Sequence, residues 1–232
     1  MSCSFVLDYL NKQPQLKYIT AIYEDNPLEY FFDEERNYIT KNIKIKKTLK
    51  FNNLKELLYF PNKKLIKGLD LSNQNICDIN FLYEFINIES LNLSNNIISD
   101  LSNLQYLYKL KKLNLSNNKI NNLKYLDRCL NLEQVFLINN KIDNLIELRT
   151  LSELKILDVT NTDIINLQDL DENKKLEYIC FNNNINSYTL DKKLKNKIIY
   201  EDKKIITSYN IYFNKYYKSS DGFCYNNFKF TL

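Results

Sequence analysis

The groups able to do conventional catalysis are few in this chain: five cysteines, 28 carboxylates and no histidine in 232 residues. Without an imidazole, a His-dependent nucleophilic triad, a zinc–histidine centre and histidine acid–base chemistry are excluded. Cys3, Cys77, Cys129, Cys180 and Cys224 are odd in number and never spaced as CxxC, which suits a reducing compartment better than a disulfide framework. Cys180 has no imidazole partner to draw off its proton. Two glycines, Gly68 and Gly222, leave no Gly-rich phosphate loop. The carboxylates form no convergent pair along the sequence. This composition predicts a non-enzyme with no catalytic residue, no metal and no cofactor.

Recognition is the chemistry left, and five residues are its candidates: Phe136, Ile138, Ile156 and Tyr178, with Asp158 among them. Their meaning depends on the elements that carry them. An aliphatic residue, a variable one, another apolar one, two variable ones and usually Asn recur every 22 residues, opening at Leu69, Leu91, Leu113, Val135, Leu157 and Ile179. A worn copy is expected at Lys47. A fixed period of this length is the signature of a solenoid. In the third copy the wider pattern is carried by Leu110, Leu113, Leu115, Asn118, Ile120, Leu123 and Leu126. Period-two alternation turns Leu113 and Leu115 inward from a short strand and leaves Asn114 facing out. The Asn that closes the phrase is expected to be buried, its amide satisfying backbone groups that have left the strand ladder. No copy can bury its apolar face alone, so stacking makes the core.

Stacked strands lie about 4.8 Å apart, so equivalent positions become ladders. Two residues before each anchor stand Lys67, Glu89, Lys111, Glu133, Lys155 and Glu177, strictly alternating in sign. Four residues after it stand Asn73, Asn95, Asn117, Asn139, Asn161 and Asn183, an expected amide ladder. The outward sheet positions are small and polar on the first three rungs and turn apolar from Phe136 onward. Large apolar groups on a face expected to be wet mark a contact surface. The five candidates are therefore read as a partner-binding patch, with coverage by the chain's own C-terminal tail as the alternative.

With this pattern the chain resembles the leucine-rich repeat proteins, specifically the 22-residue class found in regulatory subunits of protein phosphatase 1 and in bacterial internalins. The resemblance covers roughly residues 64 to 190. It implies an α/β solenoid, a curved right-handed superhelix with a parallel sheet on its concave face, a short helical or irregular convex side, and a cap at each end. It also implies protein binding. Ile198, Ile199 and Tyr200 before Glu201 and Asp202 are similar to the final strand and charged turn of such a cap.

Three regions follow: residues 1–63 as an N-terminal cap with a possible degenerate first repeat, 64–190 as six repeats, and 191–232 as a C-terminal cap with an aromatic-rich extension. Asp221-Gly222 between aromatic-rich stretches predicts a hairpin there. A net charge of +4, with lysines interleaved among acids, argues against nucleic acid. No apolar run is long enough to span a membrane, and none near residue 1 resembles a signal peptide. The expectation is an intracellular monomer that acts as a scaffold for an unknown protein partner. Two alternatives stand beside it: an effector of an intracellular parasite directed at host proteins, suggested by a composition typical of AT-rich coding, and a regulatory subunit of a phosphatase or other signalling enzyme, implied by the resemblance.

Overall fold

The structure is a computed structural model that describes residues 19–25, 28–32, 38–42, 45–181 and 198–200. It begins with four strands, β1 (Ile19–Asp25), β2 (Leu28–Phe32), β3 (Tyr38–Asn42) and β4 (Ile45–Phe51), followed by a short helix α1 (Leu54–Tyr59). Six strands spaced by one repeat follow: β5 (Ile66–Asp70), β6 (Ser90–Asn92), β7 (Lys112–Asn114), β8 (Gln134–Phe136), β9 (Ile156–Asp158) and β10 (Tyr178–Phe181). β11 (Ile198–Tyr200) completes the set. Nine strands form one sheet in the order β11-β10-β9-β8-β7-β6-β5-β1-β4, and β2 pairs with β3 separately.

From β5 to β10 every pairing is parallel and in repeat register, Leu69 opposite Leu91, Leu91 opposite Leu113 and Leu113 opposite Val135, and β11 adds a parallel strand outside that register. Each strand is only three to five residues long because the chain must turn away to complete its coil. The return path is a single 3-10 turn in each repeat, as over Ser102–Tyr106 and Ile146–Thr150. A coil this short has no room for an α-helix, so the tighter turn closes it. One apolar ladder fills the interior: Leu91, Leu93, Ile98, Leu104, Leu107 and Leu110 of one repeat are fully buried, as are their counterparts in the next. Full burial of each such side chain contributes about 1.5 to 3 kcal/mol. Cys129 takes a Leu position at 0% exposure, its thiol donating to the Leu104 carbonyl at 3.2 Å. Burial, reinforced by Asp127, pushes that thiol up from 9.0 to about 12.

The segment around Lys47 is not a further parallel rung. β4 runs antiparallel to β1, Lys47 opposite Tyr23, and β1 runs antiparallel to β5, Ala21 opposite Leu69. Lys47 itself is exposed, whereas every anchor from Leu69 to Ile179 is buried. An antiparallel pair needs only a local connection, whereas a parallel strand needs a complete coil before it. Ile19, Ala21, Phe51, Leu54 and Leu57 join the same core and cover its first layer. At the other end, Ile198–Tyr200 does form a strand, parallel to β10 with Ile198 opposite Ile179. The expected aromatic hairpin beyond residue 205, like Asn183, lies outside the described residues.

Candidate interaction surface

Three repeats turn their backbone with two adjacent asparagines, Asn95-Asn96, Asn117-Asn118 and Asn139-Asn140. The motif Asn, buried at Asn96 and Asn140 and half-buried at Asn118, joins two repeats at once: Asn96 Oδ1 accepts from the Gln74 and Ile76 amides at 3.0 and 2.9 Å, while its Nδ2 donates to the Leu71 and Leu93 carbonyls at 2.9 Å each. Asn118 and Asn140 repeat the arrangement, reaching Leu93 and Leu115 of the preceding repeat at 3.0 Å each. Thr162, standing in the same place, makes one bond of this kind, from Oγ1 to the Val159 carbonyl at 2.6 Å.

The preceding Asn has a different task. Asn73, Asn95, Asn117, Asn139 and Asn161 all sit at φ between 55 and 59°. Asn tolerates that left-handed turn better than most residues, which explains its recurrence there. Their amides also form the expected ladder: Asn117 Nδ2 donates to Asn95 Oδ1 at 2.8 Å, Asn139 to Asn117, and Asn161 to Asn139 at 2.9 Å.

Along the edge where the strands begin, the alternating charges meet. Lys111 bonds Glu89 at 2.7 Å, Lys155 bonds Glu133 at 2.6 Å, and Lys67 approaches Glu89 at 3.8 Å. The hydrogen bond from Lys111 holds the Glu89 carboxyl below its usual range, and the same bond raises Lys111. The hydrogen bond that Lys155 donates to Glu133 likewise raises Lys155. These groups are substantially solvated, so the pairs contribute little to stability.

The face of the sheet turned away from the core follows a rule the sequence reading missed. In the outward residue just after the anchor, a side-chain oxygen accepts from the backbone amide two residues on: Asp70 from Ser72 at 2.9 Å, Asn92 from Ser94 at 3.1 Å, Asn114 from Ser116 at 3.0 Å and Asp158 from Thr160 at 3.0 Å. The signal was present as an Asp or Asn two residues before Ser or Thr, a spacing that favours this local turn. Phe136 breaks the series, since a phenyl ring has no oxygen to offer.

The five candidate residues do come together on this face. Phe136 pairs across to Asp158 and Ile156 to Tyr178, with Ile138 just beyond β8. Their exposure differs from expectation. Ile138, Ile156 and Tyr178 are half-buried, whereas Phe136 is 4% and Asp158 5% exposed. Asp158 is committed to Thr160, and Phe136 belongs to the packed structure of the free chain. Phe136, Asp158 and Tyr178 each have a further contact besides. The more exposed large apolar side chains lie elsewhere: Tyr59 on α1, and Tyr83, Tyr106, Tyr108, Leu130, Ile146 and Ile165 on or near the return turns. Tyr108 and Leu130 occupy equivalent places in neighbouring repeats, a spacing already present in the sequence but off the strands.

Among the described residues, no group of three or more His, Cys, Asp or Glu is placed to hold a metal ion. No helix among them is long and apolar enough to cross a membrane.

Neither a protein-family model nor a curated protein matches the sequence. Solved structures do. Internalin C2 of Listeria monocytogenes superposes with a TM-score of 0.50 at 28% identity, over 51% of this chain and 52% of that one. A second Listeria monocytogenes internalin, internalin F, gives 0.49 at 20% identity over 60% and 47%. The parallel ladder, the 3-10 returns and the buried asparagines agree with that likeness. The chain is a leucine-rich repeat protein. It spans about half the length of the internalin C2 structure. What this leucine-rich repeat protein adds to the shared frame is the set of side chains on the outward face of its sheet.

Proposed function

We propose that this leucine-rich repeat protein is a non-catalytic scaffold that binds a protein partner on the open, concave face of its sheet. The observation that carries the reading is the change of that face at β8, where large apolar side chains replace the small polar ones of the first three rungs. Ile138, Ile156 and Tyr178 form the reachable contact surface in this reading, with Phe136 and Asp158 supporting them from beneath. A frame that repeats its inward residues so faithfully, yet varies its outward ones, suits recognition better than turnover.

The test is capture by the immobilised full-length chain from native extract, read by quantitative mass spectrometry. Ile156→Ser combined with Tyr178→Ser is expected to abolish enrichment of the partner while leaving the denaturation midpoint within a few degrees. Undiminished capture would remove the site from these residues. Phe136 is unsuitable for this test because its loss would also disturb packing.

A further inference from the structure

A second feature of the open face lies at its other end. The row across the first strands reads Ile22, Gly68, Ser90, Lys112, each opposite the next. Gly68 contributes no side chain, and a hollow of about 180 Å³ opens there, lined by Ile22, Glu24, Lys67, Glu89, Ser90 and Lys112 together with Gly68 and Lys111. Ser90 is 7% exposed, and its Oγ has no hydrogen-bond partner among the described residues. A buried hydroxyl left in that state is a standing cost, on the order of 1 to 3 kcal/mol, that an incoming acceptor relieves.

The charges around the hollow are unequal in their commitments. Lys67 and Lys111 both lean on Glu89, at 3.8 and 2.7 Å. Glu24 is engaged in a contact of its own. Lys112 is the next rung's outward residue, half-buried, with no ion-pair partner among the described residues. Lys112 and Ser90 therefore both line a space floored by a glycine, with Ile22 offering an apolar wall.

We infer that this hollow is a subsite for the side-chain carboxylate of a Glu or Asp on the bound protein, held by Lys112 Nζ and Ser90 Oγ above Gly68. A single negative charge matches the one uncommitted cation. A phosphate, with nearly two charges at neutral pH, would be set against Glu24 and Glu89 at the rim. The methylenes of a Glu side chain fit against Ile22. Serine and lysine side chains both donate to a carboxylate, and the charge-assisted bond is the stronger of the two. This inference rests on the open face being the partner-binding face, and it adds the chemistry that the face selects.

The test needs no partner. The ¹⁵N-labelled full-length protein is titrated with N-acetyl-glutamate methylamide, with the glutamine analogue, and with inorganic phosphate at matched ionic strength. Saturable shifts at the Gly68, Ser90 and Lys112 amides with the glutamate compound alone are expected. Lys112→Gln should weaken that binding by about tenfold, as loss of one charge-assisted bond implies, and Lys112→Arg should retain most of it. Gly68→Val, a good strand residue whose side chain fills the hollow, should abolish it while leaving the amide spectrum of β8 to β10 unchanged. Equal shifts with the glutamine compound, tighter binding of phosphate, or unsaturable shifts spread over all surface lysines would each overturn the proposal. None of these results bears on capture through Ile156 and Tyr178, so the two readings fail separately.

Discussion

The lower three rungs of the sheet and the upper three share one backbone and present different chemistry. The amide of Leu71 bonds the Asn92 carbonyl at 2.8 Å, and the amide of Leu137 bonds the Asp158 carbonyl at the same distance. Outward, the lower rungs show Gly68, Asp70, Ser90, Asn92, Lys112 and Asn114, while the upper ones show Phe136, Ile138, Ile156 and Tyr178. The inward ladder of leucines determines the coil and places no constraint on the outward positions, because each outward side chain points away from the core that sets the register. Core packing and surface chemistry are thus written in alternate residues of the same strands. The two halves also suggest two kinds of contact, an apolar one at β8 to β10 and an acid-reading one at β5 to β7.

The largest effect that could break this contrast comes from Phe136. Phe136→Ala is expected to cost about 3 kcal/mol in urea denaturation, the loss of a buried aromatic, whereas Asn114→Ala on the neighbouring lower rung should cost about 1 kcal/mol, the loss of a local cap. Equal costs would mean that the two halves are energetically alike. Next in size is the turn both halves share. Asn140→Ala leaves the Ile120 amide and the Leu115 and Leu137 carbonyls without their partner and should cost about 2 kcal/mol or more. At the equivalent place Thr162→Asn should instead stabilise, by up to about 1 kcal/mol.

Cys129 supplies a smaller effect, with a pH signature. Its thiol is raised from 9.0 to about 12, so burial favours the protonated form. The corresponding stability is present below pH 9.0 and is lost as the pH rises from there toward about 12. Melting temperatures should therefore fall over that range in the native chain and less steeply in Cys129→Val. Iodoacetamide at neutral pH should modify the exposed Cys77 in the folded protein and reach Cys129 only after unfolding. The charged edge gives the smallest effect. Because the Glu89 carboxyl is lowered, its contribution is present above its unfolded value and is lost as the pH falls through the folded one. Lys111→Ala should cost less than about 1 kcal/mol, and the difference from the native chain should vanish in 1 M salt. A larger loss would give the edge a role beyond holding register.

The positions of the six anchors, their inward burial, the amide ladder and the sign-alternating edge were all legible as letters spaced by one repeat. Local periodicity sufficed there because every repeat meets its neighbour at the same offset. Lys47 shows where that reasoning stops. Its neighbourhood matches the phrase loosely, yet β4 pairs antiparallel with β1, since strand direction depends on how the chain returns and not on which residues the strand contains. Phe136 shows the same limit for the site. Alternation placed it correctly on the outward face, but alternation carries no information about how much of a side chain remains in water.

From its own letters the chain determined a stack of short coils, because an apolar ladder with a fixed period can be buried in only one way. Tertiary structure alone decided the rest: that β1 is inserted ahead of the first repeat, that Phe136 is buried, and that a glycine, an orphaned serine hydroxyl and an uncommitted lysine adjoin one hollow. Those outcomes depend on contacts between groups far apart in sequence or on competition among neighbours for the same hydrogen bond, and a repeat period constrains neither.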